Sequence, residues 1–259
     1  MFASSGLVVT AIVIVGMSVG VSLLVLWLTR RLFPNHQLAA YNDVSGFVYA
    51  VIGVVYAVII GFVVINVWTQ YDEADDNARF EAGAAGTLHR IAEGLPEPAS
   101  SALQDATVAY VRTVIEDEWP KLRDGERPGA AELAHTDELW AAIYQIDPQT
   151  PREQQLYASA LDQVTALSAF RRERFAQSEA GVLGILWAVM IAGGILAVLF
   201  PCLFGVEKGF MHGLIVAILA ATIGLLLLTV YQLDYPLRGN VHVEPDEFEL
   251  VLEQFGGGQ

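Results

Sequence analysis

The sequence predicts an all-α membrane protein: four transmembrane helices, with a helical extramembrane domain built on extensions of the second and third spans. Three observations lead there. First, the apolar residues, 54% of 259, gather into four blocks, Leu7–Leu28, Val44–Trp68, Gly181–Phe200 and Gly209–Leu233, none holding Asp, Glu, Lys or Arg. Each is long enough for a helix, which needs about 20 apolar residues to cross a hydrocarbon core of roughly 30 Å. Second, the chain between the second and third blocks carries apolar positions at helical spacing and no strand-like alternation. Third, the proline and capping signals cut that region into helices and not strands. The expected division is 1–70, with spans at about 7–29 and 44–68; an acidic helical domain, 71–180; 181–235, with spans at about 181–200 and 209–233; and an acidic tail, 236–259.

The first block follows MFASSG, which has no basic region, and it exceeds the 7–15 residues of a cleaved signal sequence, so it is expected to stay as an anchor helix. It ends at Arg30-Arg31, and a short polar link contains Pro34-Asn35-His36. The second block places Gly46, Ala50, Gly53, Ala57 and Gly61 on one helix face. Membrane helices associate by close packing, which small residues permit, so this stripe is expected to be the surface against which the other spans pack. A glycine-rich span with no special role is the plainer reading, because glycine is common in such helices.

Beyond Tyr71 no proline interrupts Asp72–Glu93, and Ala74, Ala78, Ala82, Ala85 and Leu88 continue the apolar stripe, so a helix of nearly 50 residues, about 70 Å, is expected to leave the membrane. Gly94-Leu95-Pro96 ends it. A helix over 98–119 follows, with Ser101-Ala-Leu-Gln104 matching a capping box; Lys121–Pro128 reads as a turn; a short helix near 130–146 presents Leu133, Leu139, Trp140, Ile143 and Ile146. Thr150-Pro151-Arg152-Glu153 combines an N-cap, a first-turn proline and a capping-box glutamate. The helix it starts is expected to run into the third span. The fourth span has its own small-residue stripe, Gly213, Ala217, Ala220 and Gly224, and the tail closes with a short acidic amphipathic helix from Asp246 to Phe255 and a disordered Gly256-Gly257-Gly258 end.

The formal net charge is −15, with 21 acidic against 10 basic side chains in 71–180. Nucleic-acid binding needs a basic footprint, so that class of partner is excluded. The five histidines (36, 89, 135, 212, 242) are scattered, the one cysteine, Cys202, can form neither a disulfide nor a metal site within the chain, and no nucleotide, hydrolase or zincin motif is present. No catalytic residue, cofactor or metal is therefore assigned, and the chain is read as not an enzyme.

Several stretches together resemble a family of bacterial multi-pass membrane proteins described as bestrophin-like. They are Asn42-Asp43-Val44-Ser45-Gly46-Phe47 running into Gly53–Val58; Glu81-Ala-Gly-Ala-Ala-Gly-Thr-Leu-His-Arg90; Tyr110 through Glu118-Trp119-Pro120; and Leu233-Asp234-Tyr235-Pro236-Leu237-Arg238-Gly239. The signature residues are thus Asn42, Asp43, Glu81, Trp119, Pro120, Asp234, Pro236 and Gly239. The resemblance implies a homo-oligomeric ion channel, a pentamer by analogy, with long helices reaching into the cytosol. Leu237 stands where the family more often has an aromatic residue. Glu244, Asp246, Glu247 and Glu249 form a looser acidic set than the calcium clasp of animal bestrophins, which puts calcium gating in doubt.

No charged residue lies inside the four blocks, whereas coupled transporters keep ionisable groups there, so a passive pore for inorganic ions is the expectation. Ser45, Tyr49 and Tyr56 share a face beside the small stripe and are candidate lining groups; tyrosines buried between helices are the competing reading. Asp72, Glu73, Asp75 and Asp76 would form a cation-attracting ring in an oligomer, or else a solvated face paired with Arg79. Arg171, Arg172 and Arg174, with the bestrophin analogy, place the helical domain and both termini in the cytoplasm, on the cell (inner) membrane. The alternative function is a membrane-anchored scaffold or sensor whose helical domain binds a protein partner.

Overall fold

The computed structural model describes residues 5–127 and 129–256, without the side chains of 5–7, 35–36 and 130–133. His36, Pro128, Leu133 and the Gly257-Gly258 end, named above, lie outside the described residues or side chains. The described chain is helical: α1 (Ser5–Leu32), α2 (Asn35–Ala39), α3 (Asn42–Ala92), α4 (Ala99–Thr113), α5 (Trp119–Arg123), α6 (Ala130–Tyr144), α7 (Pro151–Glu179), α8 (Gly184–Leu199), α9 (Gly209–Leu233) and α10 (Asp246–Gly256). A π-helical turn, Val114–Glu118, joins α4 to α5, and a 3₁₀ turn, Phe200–Leu203, follows α8. Among the described residues, four helices are long and apolar enough to cross a membrane: α1, α3, α8 with its 3₁₀ turn, and α9. The protein is an integral membrane protein.

The chain divides into two compact units. The membrane unit comprises residues 1–68 and 181–234. Here α1 packs on α9 through the fourth-span stripe. A Cβ on Gly224 would lie 3.5 Å from Ser18 Cβ, the Ser18 hydroxyl donates to the Ala220 carbonyl (3.0 Å), and Ala220 is fully buried. Small residues bring the two backbones within reach of that hydrogen bond. On α3 the buried positions are Tyr56, Ile60, Val63 and Val67, which join Met190, Ala197 and Val198 of α8 and Ala220, Ile223 and Val230 of α9 in one core.

The second unit comprises 69–180 and 235–259. Its core is the alanine stripe of α3 (Ala74, Ala78, Ala82, Ala85) with Leu88, met by Leu103, Tyr110 and Val111 of α4, Leu139 and Ile143 of α6, and Ala160, Val164 and Leu167 of α7. The tail belongs to this core: Leu237, Val243 and Phe248 are buried in it. Expectation and structure agree on α3, which runs unbroken for 51 residues.

Three details are corrected. The helix leading to the third span does not continue into it: α7 ends at Glu179, Ala180 is extended, and α8 begins at Gly184. The freed Val182 N–H is taken by the Asp234 carboxylate (2.6 Å), which also accepts from the Trp187 indole N–H (3.1 Å). Ser101 is no N-cap, because α4 already begins at Ala99, and its hydroxyl bonds Glu97 instead. The helical run also continues through Pro120 to Arg123. A proline there cannot donate to Glu116 and would collide with that carbonyl in a regular α-helix; the π turn just before it widens the ladder, with Trp119 N–H bonding Val114 O.

Candidate functional site

In the membrane unit, the candidate lining groups separate. Tyr56 is buried, its ring against the two glycines of α8: a Cβ on Gly193 would lie 2.6 Å from Tyr56 Cδ2, and one on Gly194 3.0 Å from the Tyr56 hydroxyl. The Gly193-Gly194 pair thus makes a slot for the ring, which fits the competing reading of a tyrosine buried between helices. Tyr49 stacks on Phe200 (centroids 5.8 Å) and meets Phe204 edge-on (6.1 Å), while Ser45 is half-buried. The small stripe of α3 stands open within the single chain. A Cβ added at Gly46, Gly53 or Gly61 would meet nothing within 4 Å, and Ala50 and Ala57 are exposed. The other spans of the same chain pack on the neighbouring flank, through Tyr56, Ile60, Val63 and Val67, where bulky side chains supply the contact area.

At the end of α3, the Asn42 side-chain amide closes a reciprocal pair with the α8–α9 connection, donating to Gly205 O (3.1 Å) and accepting from Gly205 N–H (2.9 Å). Arg30 donates to the Val206 carbonyl in the same connection, and His212 Nε2 lies 2.8 Å from Pro201 O. Asp43 is exposed.

In the helical unit, α3, α4, the π turn and α7 bring five polar side chains into a buried interior. Glu81, Glu118 and Arg174 are essentially fully buried and Arg171 nearly so. Arg174 donates from Nε to Glu81 Oε2 (2.8 Å), and from Nη2 to Glu81 Oε1 (2.9 Å) and Glu118 Oε2 (2.6 Å). Arg171 bonds Glu118 Oε1, and the Tyr110 hydroxyl donates to Glu81 Oε1 (2.5 Å). The aromatic faces of Trp119 and Phe175 lie 5.2 and 5.0 Å from the Arg174 guanidinium carbon. Two carboxylates and two guanidiniums balance, which is what allows burial of charge at all. Burial, and then the Glu81 carboxylate, hold the Tyr110 phenol well above its usual pKa; burial opposes the charge on Arg174, but Glu81 and Glu118 outweigh it and raise its pKa.

Arg171 and Arg174 escaped functional notice in the sequence, where they counted only as charges near a span. The signal was present: Ala160, Val164, Leu167, Arg171, Arg174 and Ser178 form one buried stripe of α7 at 3–4-residue spacing. Their burial also removes two of the three cations used above to place this unit by the positive-inside argument; Arg172 is exposed.

The acidic turn of α3 is partly neutralised. Arg79 reaches Asp75 (2.6 Å), Asp76 (3.5 Å) and Glu247 (3.6 Å), while Glu73 is exposed. Asp72 is exposed as well. In the tail, Pro236 O accepts from Val243 N–H (2.9 Å), and Gly239 takes φ +81°, a conformation that side-chain-bearing residues rarely adopt. The Trp119 indole N–H donates to Val243 O (2.9 Å), and the Tyr71 hydroxyl to His242 O (3.2 Å). Of the signature residues, Glu81, Trp119 and the Pro236 carbonyl thus make hydrogen bonds within the helical unit.

A model of the Bestrophin-like domain matches residues 16–248. The chain belongs to the Bestrophin-like family. Its fold is that of bacterial bestrophins: a singly substituted bestrophin homologue from Klebsiella pneumoniae is similar with a TM-score of 0.73 at 13% identity, covering 95% of this bestrophin-like chain and 99% of that one. Another structure of the Klebsiella homologue gives 0.71 at 14% identity, over 94% and 98% of the two chains. A variant described only as a membrane protein gives 0.72 at 14%, over 95% and 99%. No curated protein matches this bestrophin-like sequence.

Proposed function

We propose that the chain assembles with copies of itself into an ion channel, a pentamer by analogy with bestrophins, in which the small-residue face of α3 meets the neighbouring copies or the conduction path. The observation that carries this reading is the open stripe Gly46, Ala50, Gly53, Ala57, Gly61 on a helix that packs on its own chain through a neighbouring flank, in a chain of the Bestrophin-like family. Lipid gives a 25-residue apolar segment no reason to concentrate small residues on one face, whereas close approach of a second helix does. Bulky Phe47, Val54, Phe62 and Ile65 of α3 are exposed in the single chain and are available to narrow a path without charge.

Asp72, Glu73, Asp75 and Asp76 stand at the first turns beyond the span, and Arg79 offsets only part of their charge. Repeated around an axis they would concentrate cations, so the proposed pathway favours cations over anions. We place the protein in the inner membrane with the helical unit in the cytoplasm, following the bestrophin plan; cysteine labelling at Arg172→Cys in intact cells tests the side. Reconstitution into liposomes tests the function: potassium flux is expected, and its absence from folded, oligomeric protein would refute the channel reading.

A further inference from the structure

A cleft of about 520 Å³ lies within the membrane unit, between α1 and α8. Its walls run from Ile14 to Val25 on α1 and from Ile191 to Leu199 on α8, and Ile223 and Leu227 of α9 complete the lining. The polar side chains among the lining residues are Ser18 and Ser22. Both hydroxyls donate within the chain, to Ala220 O (3.0 Å) and Val19 O (2.8 Å). A water in such a place needs about two to four polar partners, and the cleft has no free donor to give it. No charged side chain lines it to hold a polar solute. The occupant is apolar.

Size and position select among apolar occupants. At the helical rise, the cleft follows α1 for about 16 Å. A helix from a second copy is about 10 Å across and would need more than about 1,200 Å³ over that length, over twice the space present. A single hydrocarbon chain is far thinner. Both walls also show where it enters. Val25 lies about 5 Å from Leu28, the end of the first apolar block, and Leu199 is the last residue of α8. Ile14 and Ile191, by contrast, lie about 10 Å inside Leu7 and Gly184, where the two spans begin. The Arg30 contact with the Val206 carbonyl keeps the first pair of ends together. The cleft therefore opens toward the leaflet at the Arg30-Arg31 end and runs into the bilayer interior. We propose that it holds one acyl chain of a phospholipid from that leaflet, entering beside Val25 and Leu199 and ending near Ile14 and Ile191. Three helices touch such a chain, whereas a chain of the surrounding bilayer meets the protein on one side. The added dispersion contacts hold it in place while its neighbours exchange.

The test uses the full chain in mild detergent, with dioleoyl phosphatidylcholine as the probe and native mass spectrometry as the readout. One phospholipid retained per chain is expected after excess lipid is washed away. Val21→Phe combined with Ile195→Phe fills the cleft from two exposed positions and should lose that lipid; Leu225→Phe, exposed on α9 and outside the lining, should keep it. A second measurement needs no substitution: a phosphatidylcholine with a photoreactive group at its chain end should label the surroundings of Ile14 and Ile191 in preference to the exposed Val9 and Leu225. No retained lipid, retention unchanged by filling the cleft, loss with Leu225→Phe, label spread evenly over the exposed apolar residues, or a crosslink from Ile195→Cys to a second copy would overturn the assignment.

Discussion

Replacing Arg174 with methionine removes the central cation of the buried network. The side chain is 1% exposed and makes three hydrogen bonds to two carboxylates. Methionine keeps most of the apolar volume, so the loss is electrostatic. Glu81 and Glu118 are left with only Arg171 between them, and the Glu81 carboxylate keeps only the Tyr110 hydroxyl. Breaking a buried pair by deleting one partner costs about 3–5 kcal/mol, and that is the destabilisation expected here. Adding Glu81→Gln removes the orphaned charge while preserving an acceptor for Tyr110; the double variant should recover about 2 kcal/mol relative to the sum of the single costs. Denaturant unfolding in mild detergent, followed by tryptophan emission with Trp119 5.2 Å from Arg174 as the local reporter, measures both quantities. A cost under about 1 kcal/mol for Arg174→Met, or strict additivity with Glu81→Gln, would show that the network does not hold the helical unit together.

Further outcomes follow from the same geometry. Gly193→Leu must displace the Tyr56 ring and should cost about 1–3 kcal/mol of stability, whereas Gly53→Leu, with open space around it, should leave the monomer intact and reduce oligomer yield on size exclusion; the reverse pattern would mean that the α3 stripe faces only lipid. Asp234→Ala strips the acceptor from Val182 N–H and the Trp187 indole, and should cost about 1–3 kcal/mol and red-shift tryptophan emission; an unchanged melting curve would argue against the α7–α8 break being pinned there. Glu153 is held below the usual glutamate pKa by the Gln149 N–H first and then by Thr150. A carboxyl lowered on folding contributes stability above its unfolded pKa that is lost as pH falls through its folded one, so NMR titration of Thr150→Val should show the Glu153 pKa rising; no change would remove the capping box from the account.

The four spans were legible because hydropathy over 20 residues is a strong signal, and the long α3 because no proline interrupts it. The fourth-span stripe and the Thr150–Glu153 cap were equally legible, since both depend on local spacing; Glu153 N–H does bond Thr150 Oγ1 (3.2 Å). What sequence did not yield was partner choice. Nothing in Gly46–Gly61 distinguishes packing on the same chain from packing on another, and Tyr56 looks the same beside a pore or in a glycine slot. The charged core was hidden for a different reason. Arg171 and Arg174 continue an apolar stripe, but their identity reads as solvent-facing unless Glu81 and Glu118, 93 and 56 residues from Arg174, are known to meet it. The π turn that aims Glu118 inward has no sequence pattern beyond the proline it accommodates.

Single-channel recording from purified protein in planar bilayers tests the central claim most directly. Discrete, cation-selective conductance steps that diminish when Asp72 and Glu73 are neutralised are the result expected. Silent bilayers, from protein shown by mass measurement to be a folded oligomer, would contradict it.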